Sequence, residues 1–392
     1  MKIITDEKKI EEVLTRGIEN IFVKDSLKNK LLSGKKLKVY LGIDPTGPTL
    51  HMGHAIPLMK LKQFQDLGHQ VILLMGDFTA MIGDPTDKLA ARKQLSHKEV
   101  LNNLKKYKKQ ASIFLKFTGD NKAEFKFNSK WLSKLKFEDI LKLAAHFTVQ
   151  QILGREMFAL RMNDDKPVYL HEFMYPLMQG YDSVVMDVDV EVGGNDQTFN
   201  MLVGRDLVSQ ILKKDKSVLT MKLLEDNTGK KMGKTEGNMI SFEDSSNEMF
   251  GKVMSWNDSL IEKGFELCTN FDLSKINVNQ NPRDLKMKLA YEIVKIYHGE
   301  KKAKEAQDNF INTFAKGGVP KDILEVSVKN DMKLVDLLLA EKIVSSKTEF
   351  RRLIGEGAIT DMDKNEKVKD IEAKALKTVY KIGKHRFIKI ID

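Results

Sequence analysis

Two short apolar runs, Leu37-Lys-Val-Tyr-Leu-Gly42 and Val71-Ile-Leu-Leu-Met75, flank a stretch of helical periodicity, and no other feature constrains the fold as much. Both runs are continuous rather than alternating, the pattern of strands covered on two faces in a parallel sheet. Between them, His51 to Leu67 sets Ile56, Met59, the Lys60 stem, Phe64 and Leu67 at helical spacing, with Gly68 placed to end the helix. Strand, helix, strand is the crossover unit of a nucleotide-binding α/β domain.

From His97 to Phe147 basic and apolar residues mix at helical spacing, which predicts an insertion with exposed helices and a largely solvated cationic face. Val184 to Val192 alternates apolar residues with Asp187, Asp189 and Glu191 and reads as the last strand of this domain, running into Gly193-Gly194. After Thr220 comes a Gly- and Lys-rich loop, Thr228 to Asn238, then helical patterns. Asn281-Pro282 is a good helix start, and Leu289, Ile293 and Ile296 form one apolar stripe. Further on, Val335, Leu338 and Leu339 share a helix face, Ser346 with Glu349 resembles a capping box, and Thr378–Ile382 and Arg386–Ile390 look like two strands. The expected organisation is a Rossmann-like α/β domain over 1–220 with a helical insertion at about 97–180, a helical region over 221–328 headed by the lysine loop, and a small basic α+β unit over 329–392.

A chain of 392 residues has room for an enzyme core plus appended modules. Its formal charge of +10 favours a polyanionic partner such as nucleic acid or nucleotide. The single Cys268 excludes an intrachain disulfide and a thiolate metal cluster, which points to a reducing compartment, with cytoplasm as the default. No run approaches the roughly 18 apolar residues of a membrane span, and no signal-peptide core is evident near the N-terminus.

Chemistry concentrates in three places. Asp44-Pro-Thr46-Gly-Pro-Thr-Leu-His51-Met-Gly53-His54 sits where the first strand becomes the helix. Backbone N–H groups there can receive phosphate, Gly53 lets a nucleotide approach, and two imidazoles three apart share a helix face. The same residues would also serve as a plain turn and helix start, or as two ligands of a metal that lacks a third nearby. Gly229-Lys-Lys231-Met-Gly-Lys234-Thr-Glu-Gly237 is by composition a mobile cationic loop, suited to a leaving pyrophosphate or to solvent. Tyr175, Gln179 and Asp182, at i, i+4 and i+7, put a phenol, an amide and a carboxylate on one helix face, an unusual face for a pure core.

In that order the motifs resemble a class I aminoacyl-tRNA synthetase: His51-Met-Gly-His54 matches His-x-Gly-His, and Lys231-Met-Gly-Lys234-Thr235 matches Lys-Met-Ser-Lys-Ser, with Gly233 and Thr235 in place of the serines. Tyr175-x-x-x-Gln179-x-x-Asp182, Gly193-Gly-Asn-Asp196-Gln197 and Gly83-Asp84-Pro with Lys88 and Arg92 resemble the tyrosyl-tRNA synthetases specifically. The resemblance implies that Tyr40 and Asp182 bind the substrate phenol, that Asp84, Tyr175 and Gln179 hold its α-ammonium, and that Gln197 lies near its carboxylate. It implies further that Asp44 and Asp196 lie near the adenylate and its ribose, and that Thr46, His51, His54, Lys88, Arg92, Lys231 and Lys234 face the ATP phosphates. Magnesium would arrive with ATP, with no dedicated protein metal site, and the implied assembly is a homodimer that charges tRNA(Tyr).

From Ser345 to Asp392 there are twelve Lys or Arg against eight acids, and none of the acids lies between Ala373 and Ile391. This unit resembles the small RNA-binding domain that many tyrosyl-tRNA synthetases carry. Lys347, Arg351, Arg352, Lys384 and Arg386 are its candidate contacts.

Overall fold

The computed structural model describes residues 2–85, 95–225, 239–277, 280–315, 323–328, 332–383 and 386–391, leaving aside the side chains of 156, 314 and 315. The chain divides into two compact units, Met1–Gly299 and Glu300–Asp392.

The first unit is built on a six-stranded sheet: β1 (Ile18–Phe22), β2 (Lys38–Ile43), β3 (Gln70–Met75), β4 (Glu124–Phe127), β5 (Val190–Gly194) and β6 (Ser217–Met221). The order is β1-β6-β5-β2-β3-β4, with every pairing parallel except the antiparallel β1–β6 edge. Val39, Leu41, Val71, Leu73, Val190 and Val218 are buried, as a sheet covered on both faces requires. The expected helix runs Met52–Asp66, with His51 as N-cap and Gly68 at φ +95 beyond its end. The chain passes from β2 to β3 and β4 on one side, then returns through β5 on the other. The β2–β5 boundary is therefore the topological switch point, where the carboxyl ends of open α/β sheets form a crevice.

Two expectations change. Val184–Met186 are not strand but the last turn of the helix Leu170–Met186, which Asp187 closes in a left-handed conformation at φ +49. Val184 packs there with Leu177, Val203, Leu207 and Val208, so a helix–helix contact, not the local alternation, decides the backbone. Nor is β5 the last strand, since β6 follows it. The 97–147 stretch is also more than exposed helices: Glu124–Phe127 forms the sheet edge beside β3, with Phe125 and Phe127 edge-to-face at 5.3 Å.

The helix Leu170–Met186 lies against Thr198–Leu212, where a side-chain carbon on Gly180 would come within 2.8 Å of Leu207 Cδ1. That close approach holds the Tyr175–Asp182 face beside the sheet. At the N-terminus the Arg16 guanidinium donates to the carbonyls of Phe265, Glu266, Thr269 and Phe271 at 2.8–3.0 Å, capping the helix Ile261–Cys268 with a cation.

The second unit carries a five-stranded sheet of β7 (Leu324–Ser327), β8 (Ile359–Asp361), β9 (Glu366–Lys367), β10 (Val379–Ile382) and β11 (Arg386–Ile391), in the order β7-β11-β10-β8-β9. The helices Leu334–Ala340 and Lys347–Gly355 supply Leu334, Leu338, Phe350 and Leu353 to a core shared with Ile359, Ile382 and Ile388. Ser346 caps the second helix by accepting from the Glu349 N–H, as its sequence signalled. The sheet draws in β7, which precedes the expected start at 329.

Candidate active site

Asp44, immediately past β2, is gripped from two sides: Thr79 Oγ1 donates to Oδ1 at 2.7 Å and the Tyr175 hydroxyl to Oδ2 at 2.9 Å. Gly76 makes this possible, because any Cβ there would lie 1.9 Å from Asp44 Oδ1. Burial together with Asp44 pushes the Tyr175 phenol well above its usual range.

Asp182 is buried on the same helix as Tyr175. Its Oδ1 accepts from Trp131 Nε1 at 2.7 Å and its Oδ2 from Asn128 Nδ2 at 3.2 Å. Burial pushes this carboxyl well above the ordinary carboxylate range, and the two N–H donors oppose it. Tyr40, from β2, is 1% exposed and lies near enough to feel the Asp182 charge. Its hydroxyl pairs with Ser183 Oγ at 2.9 Å. Gln179 turns its Nε2 to Glu191 Oε1 at 3.0 Å, and Lys216, fully buried, pairs with Glu191 Oε2 and donates to Ser183 Oγ at 2.8 Å.

At the strand-end loop, Gln197 donates to Asp84 Oδ2 at 2.6 Å and accepts from the buried Asn200 at 3.0 Å. The Arg155 guanidinium, stacked 5.1 Å over Phe199, lies 3.6 Å from Asp84. Asp196 is half-buried beside Gly194, where a Cβ would meet its Oδ1 at 2.4 Å.

On the other side of Asp44, Thr46 is exposed and its N–H donates to the Asp44 carbonyl at 2.8 Å. His51 Nδ1 accepts from the Gly53 N–H and His54 Nδ1 from the His51 N–H, both at 3.2 Å, with the rings 4.0 Å apart. Burial, then the neighbouring His51, holds His54 well below the usual imidazole range, so it is neutral. A neutral ring that accepts at Nδ1 carries its proton on Nε2, the donor a phosphate oxygen needs. A Cβ on Gly53 would be 3.0 Å from His51 Cε1. Lys88, Arg92, Lys231, Lys234 and Lys384 lie outside the described residues, but the chain leaving the lysine segment is pinned beside the histidines: Met52 N–H donates to Ile240 O at 2.9 Å and Phe242 N–H to Leu50 O at 3.0 Å.

The structure thus gathers Tyr40, Asp44, Asp84, Tyr175, Gln179, Asp182 and Gln197 around the carboxyl ends of β2 and β5. It engages them through partners that sequence reasoning missed: Thr79, Asn128, Trp131, Arg155, Ser183, Glu191 and Lys216. In the second unit Lys347 is 3.6 Å from Asp336, Arg352 is 2.8 Å from Glu356, and Arg351 is exposed. Arg386 instead binds Glu349 at 2.9 Å and the Ile343 carbonyl, a structural engagement between strand and helix.

This arrangement has known counterparts. The pattern of tRNA synthetases class I (W and Y) matches residues 32–315. A tyrosine–tRNA ligase of Carboxydothermus hydrogenoformans is 44% identical over 403 residues, covering 97% of either chain. One of Thermotoga maritima is 40% identical over 397 residues, covering 99% of this chain and 98% of the relative. Among solved structures, a C-terminally truncated mitochondrial tyrosyl-tRNA synthetase of Aspergillus nidulans superposes with a TM-score of 0.66 at 25% identity, over 78% of this chain and 94% of that one. The Archaeoglobus fulgidus tyrosyl-tRNA synthetase complexed with L-tyrosine shares the fold at 19% identity, with a TM-score of 0.61 over 77% of this chain and all of that one. The chain belongs to the class I tRNA synthetases of the W and Y family, and within it to the tyrosine–tRNA ligases.

Proposed function

We infer that the chain activates L-tyrosine with ATP, releasing pyrophosphate, and passes the tyrosyl group to the 3′ end of tRNA(Tyr). The observation that carries this reading is the buried carboxylate Asp182, held by Trp131 and Asn128 beside the Tyr40 phenol, in a chain that matches tyrosine–tRNA ligases along nearly its whole length. A substrate lacking the hydroxyl would leave these polar groups buried without a partner, and tyrosyl-tRNA synthetases are the type example of that asymmetry.

The substrate carboxylate is already a nucleophile, so attack on the α-phosphate needs position and charge stabilisation rather than a general base. In this reading Tyr40 and Asp182 take the phenol, and Asp84, Tyr175 and Gln179 the α-ammonium. Gln197 lies by the carboxylate, and Asp44 and Asp196 by the adenylate. The Nε2 protons of His51 and His54 aim at phosphate, joined by Thr46, Lys88, Arg92, Lys231 and Lys234 as pyrophosphate charge develops. The nucleotide enters as its magnesium complex, the cation keeping waters and phosphate oxygens as ligands.

Residues 1–220 form the catalytic domain in this reading, 221–328 the lysine loop with anticodon recognition, and 329–392 an RNA-binding unit working through Lys347, Arg351, Arg352, Lys384 and Arg386. Phe137, Leu141, Val149, Leu160, Met162, Tyr169 and Leu170 are all exposed within one stretch, Leu170 by 80% and Phe137 by 75%, which supports burial against a second copy in a homodimer. The protein acts in the cytoplasm, and among the described residues no helix is long and apolar enough to cross a membrane.

ATP/pyrophosphate exchange across the amino acids tests the activity: exchange with tyrosine alone is expected, and exchange driven by tryptophan instead would replace the reading. Ending the chain at Ala315, before β7, tests the division of labour. Tyrosine-dependent exchange should stay within a few-fold while tRNA charging falls about a hundredfold, more steeply at higher salt because phosphate contacts release counterions. Full charging by the truncated enzyme would assign the basic surface to solvent.

A further inference from the structure

Behind the proposed tyrosine pocket lies a charged pair that the reaction scheme does not use. Lys216 and Glu191 are 0% and 2% exposed, and together with Ser183, also 0%, they sit against Tyr40, whose ring centroid is 5.8 Å from Lys216 Nζ. Burying two charges is costly, so a pair this deep invites a question about what it orients.

Hydrogen-bond direction gives the answer. An ammonium has no lone pair, so at the 2.8 Å contact Ser183 Oγ accepts from Lys216. The single Ser183 proton can then go to the Tyr40 oxygen at 2.9 Å or to Glu191 Oε2 at 3.4 Å. Glu191 Oε2 already receives Lys216, and Oε1 receives Gln179, so the shorter bond to Tyr40 takes the proton. We propose that Lys216 is a positioning residue that polarises the chain Lys216–Ser183–Tyr40, so that the Tyr40 hydroxyl accepts from Ser183 and donates its own proton into the tyrosine pocket. This rests on the reading that Tyr40 and Asp182 receive the substrate phenol.

The pocket then presents one donor, Tyr40, and one acceptor, Asp182, the complement of a hydroxyl that accepts one hydrogen bond and donates another. With the chain reversed, two acceptors would face a single O–H. Tyr40 can serve as the donor because burial, with Glu191 and Asp182 nearby, keeps its phenol protonated. The same pair orients the other end of the substrate site. Because Gln179 Nε2 is committed to Glu191, its carbonyl oxygen is the end left to accept from an ammonium.

The test is pyrophosphate exchange by the full chain with tyrosine, phenylalanine and 4-aminophenylalanine, whose amino group donates well and accepts poorly. The wild-type protein is expected to favour tyrosine over the amino analogue by at least about tenfold in kcat/KM. Lys216→Met should shrink that ratio about tenfold, mostly through the KM for tyrosine, as Tyr40 becomes free to turn toward Ser183. In a Ser183→Ala background, where no chain remains, Lys216→Met should change the ratio less than twofold. Equal use of tyrosine and the amino analogue by the wild-type protein would overturn the proposal without any variant. So would a Lys216→Met protein that loses activity toward all substrates in step, the mark of a merely structural lysine. Tyr40→Phe separates the two levels: if it leaves the preference for tyrosine over phenylalanine unchanged, the parent reading falls and this proposal with it. If Tyr40→Phe erodes that preference while Lys216→Met leaves both ratios intact, only the polarised chain is wrong.

Discussion

The two ends of the site are built differently. At the tyrosine end, Asp182, Tyr40, Ser183, Glu191 and Lys216 are each exposed by a few percent or less, and every group points at a named partner. At the phosphate end, Thr46 is exposed, His51 and His54 are half-buried, and the cations that complete the set belong to separate segments of the chain. The contrast follows the chemistry. A phenol must be told from a bare ring before anything reacts, which demands fixed partners whose loss is expensive. Pyrophosphate charge appears only as the bond breaks, and groups that strengthen their hold at that moment lower the barrier, whereas uniform binding does not.

This difference can be broken at either end. The largest effect is expected from Lys234→Ala, which should slow tyrosyl-adenylate formation by about 10²–10³, the scale for removing one stabiliser of developing charge. Tyrosine binding without ATP should barely move, and single-turnover kinetics beside equilibrium binding would show it. A variant that lost tyrosine affinity at an unchanged activation rate would place the lysine in the amino-acid pocket. Next comes Asp182→Ala, expected to lower kcat/KM for tyrosine about a hundredfold and to erode the preference over phenylalanine. It also strands the N–H groups of Trp131 and Asn128, so thermal unfolding should report a loss of about 1–3 kcal/mol. Unchanged tyrosine KM and selectivity would remove Asp182 from the phenol site.

The smallest effect is a pH dependence confined to the tyrosine end. Burial raises the Asp182 pKa in the free protein, and accepting a phenol proton requires the ionised form, so binding tyrosine should expel a proton. The sign follows: tyrosine affinity is full above the raised pKa and falls by up to about tenfold per pH unit below it, starting above the ordinary carboxylate range. Binding titrations from neutral pH downward would check it. A midpoint at an ordinary aspartate value would mean that the two N–H donors outweigh burial.

Legibility in the sequence divides along similar lines. The β2–helix–β3 unit was readable because its periodicities and caps are local, and the histidine motif because its spacing is fixed within one turn. Tyr175, Gln179 and Asp182 were readable as a face because helical geometry alone brings them together. Their partners were not. Lys216 stands in a Lys-Lys-Asp-Lys run that reads as solvated surface, and its carboxylate lies 25 residues away on a neighbouring strand. Asn128 and Trp131 reach Asp182 from a stretch read as an exposed insertion, across separations of 54 and 51 residues that no local pattern encodes. Val184–Met186 alternate like a strand, yet packing against Thr198–Leu212 made them helix.

The antiparallel edge of the main sheet bears on how such a chain is made. Strand β1 comes first off the ribosome but pairs only with β6, and Asn20 bonds Thr220 across 200 residues. Arg16 waits longer still, until Phe271, 255 residues on, has been added. At synthesis rates of about 5–20 residues per second, the Ile18–Phe22 segment spends roughly 10–40 s without its partner strand. An apolar strand left open for that interval is a site for wrong pairing with neighbouring nascent chains, so the N-terminal segment is where holdase chaperones have the most to protect.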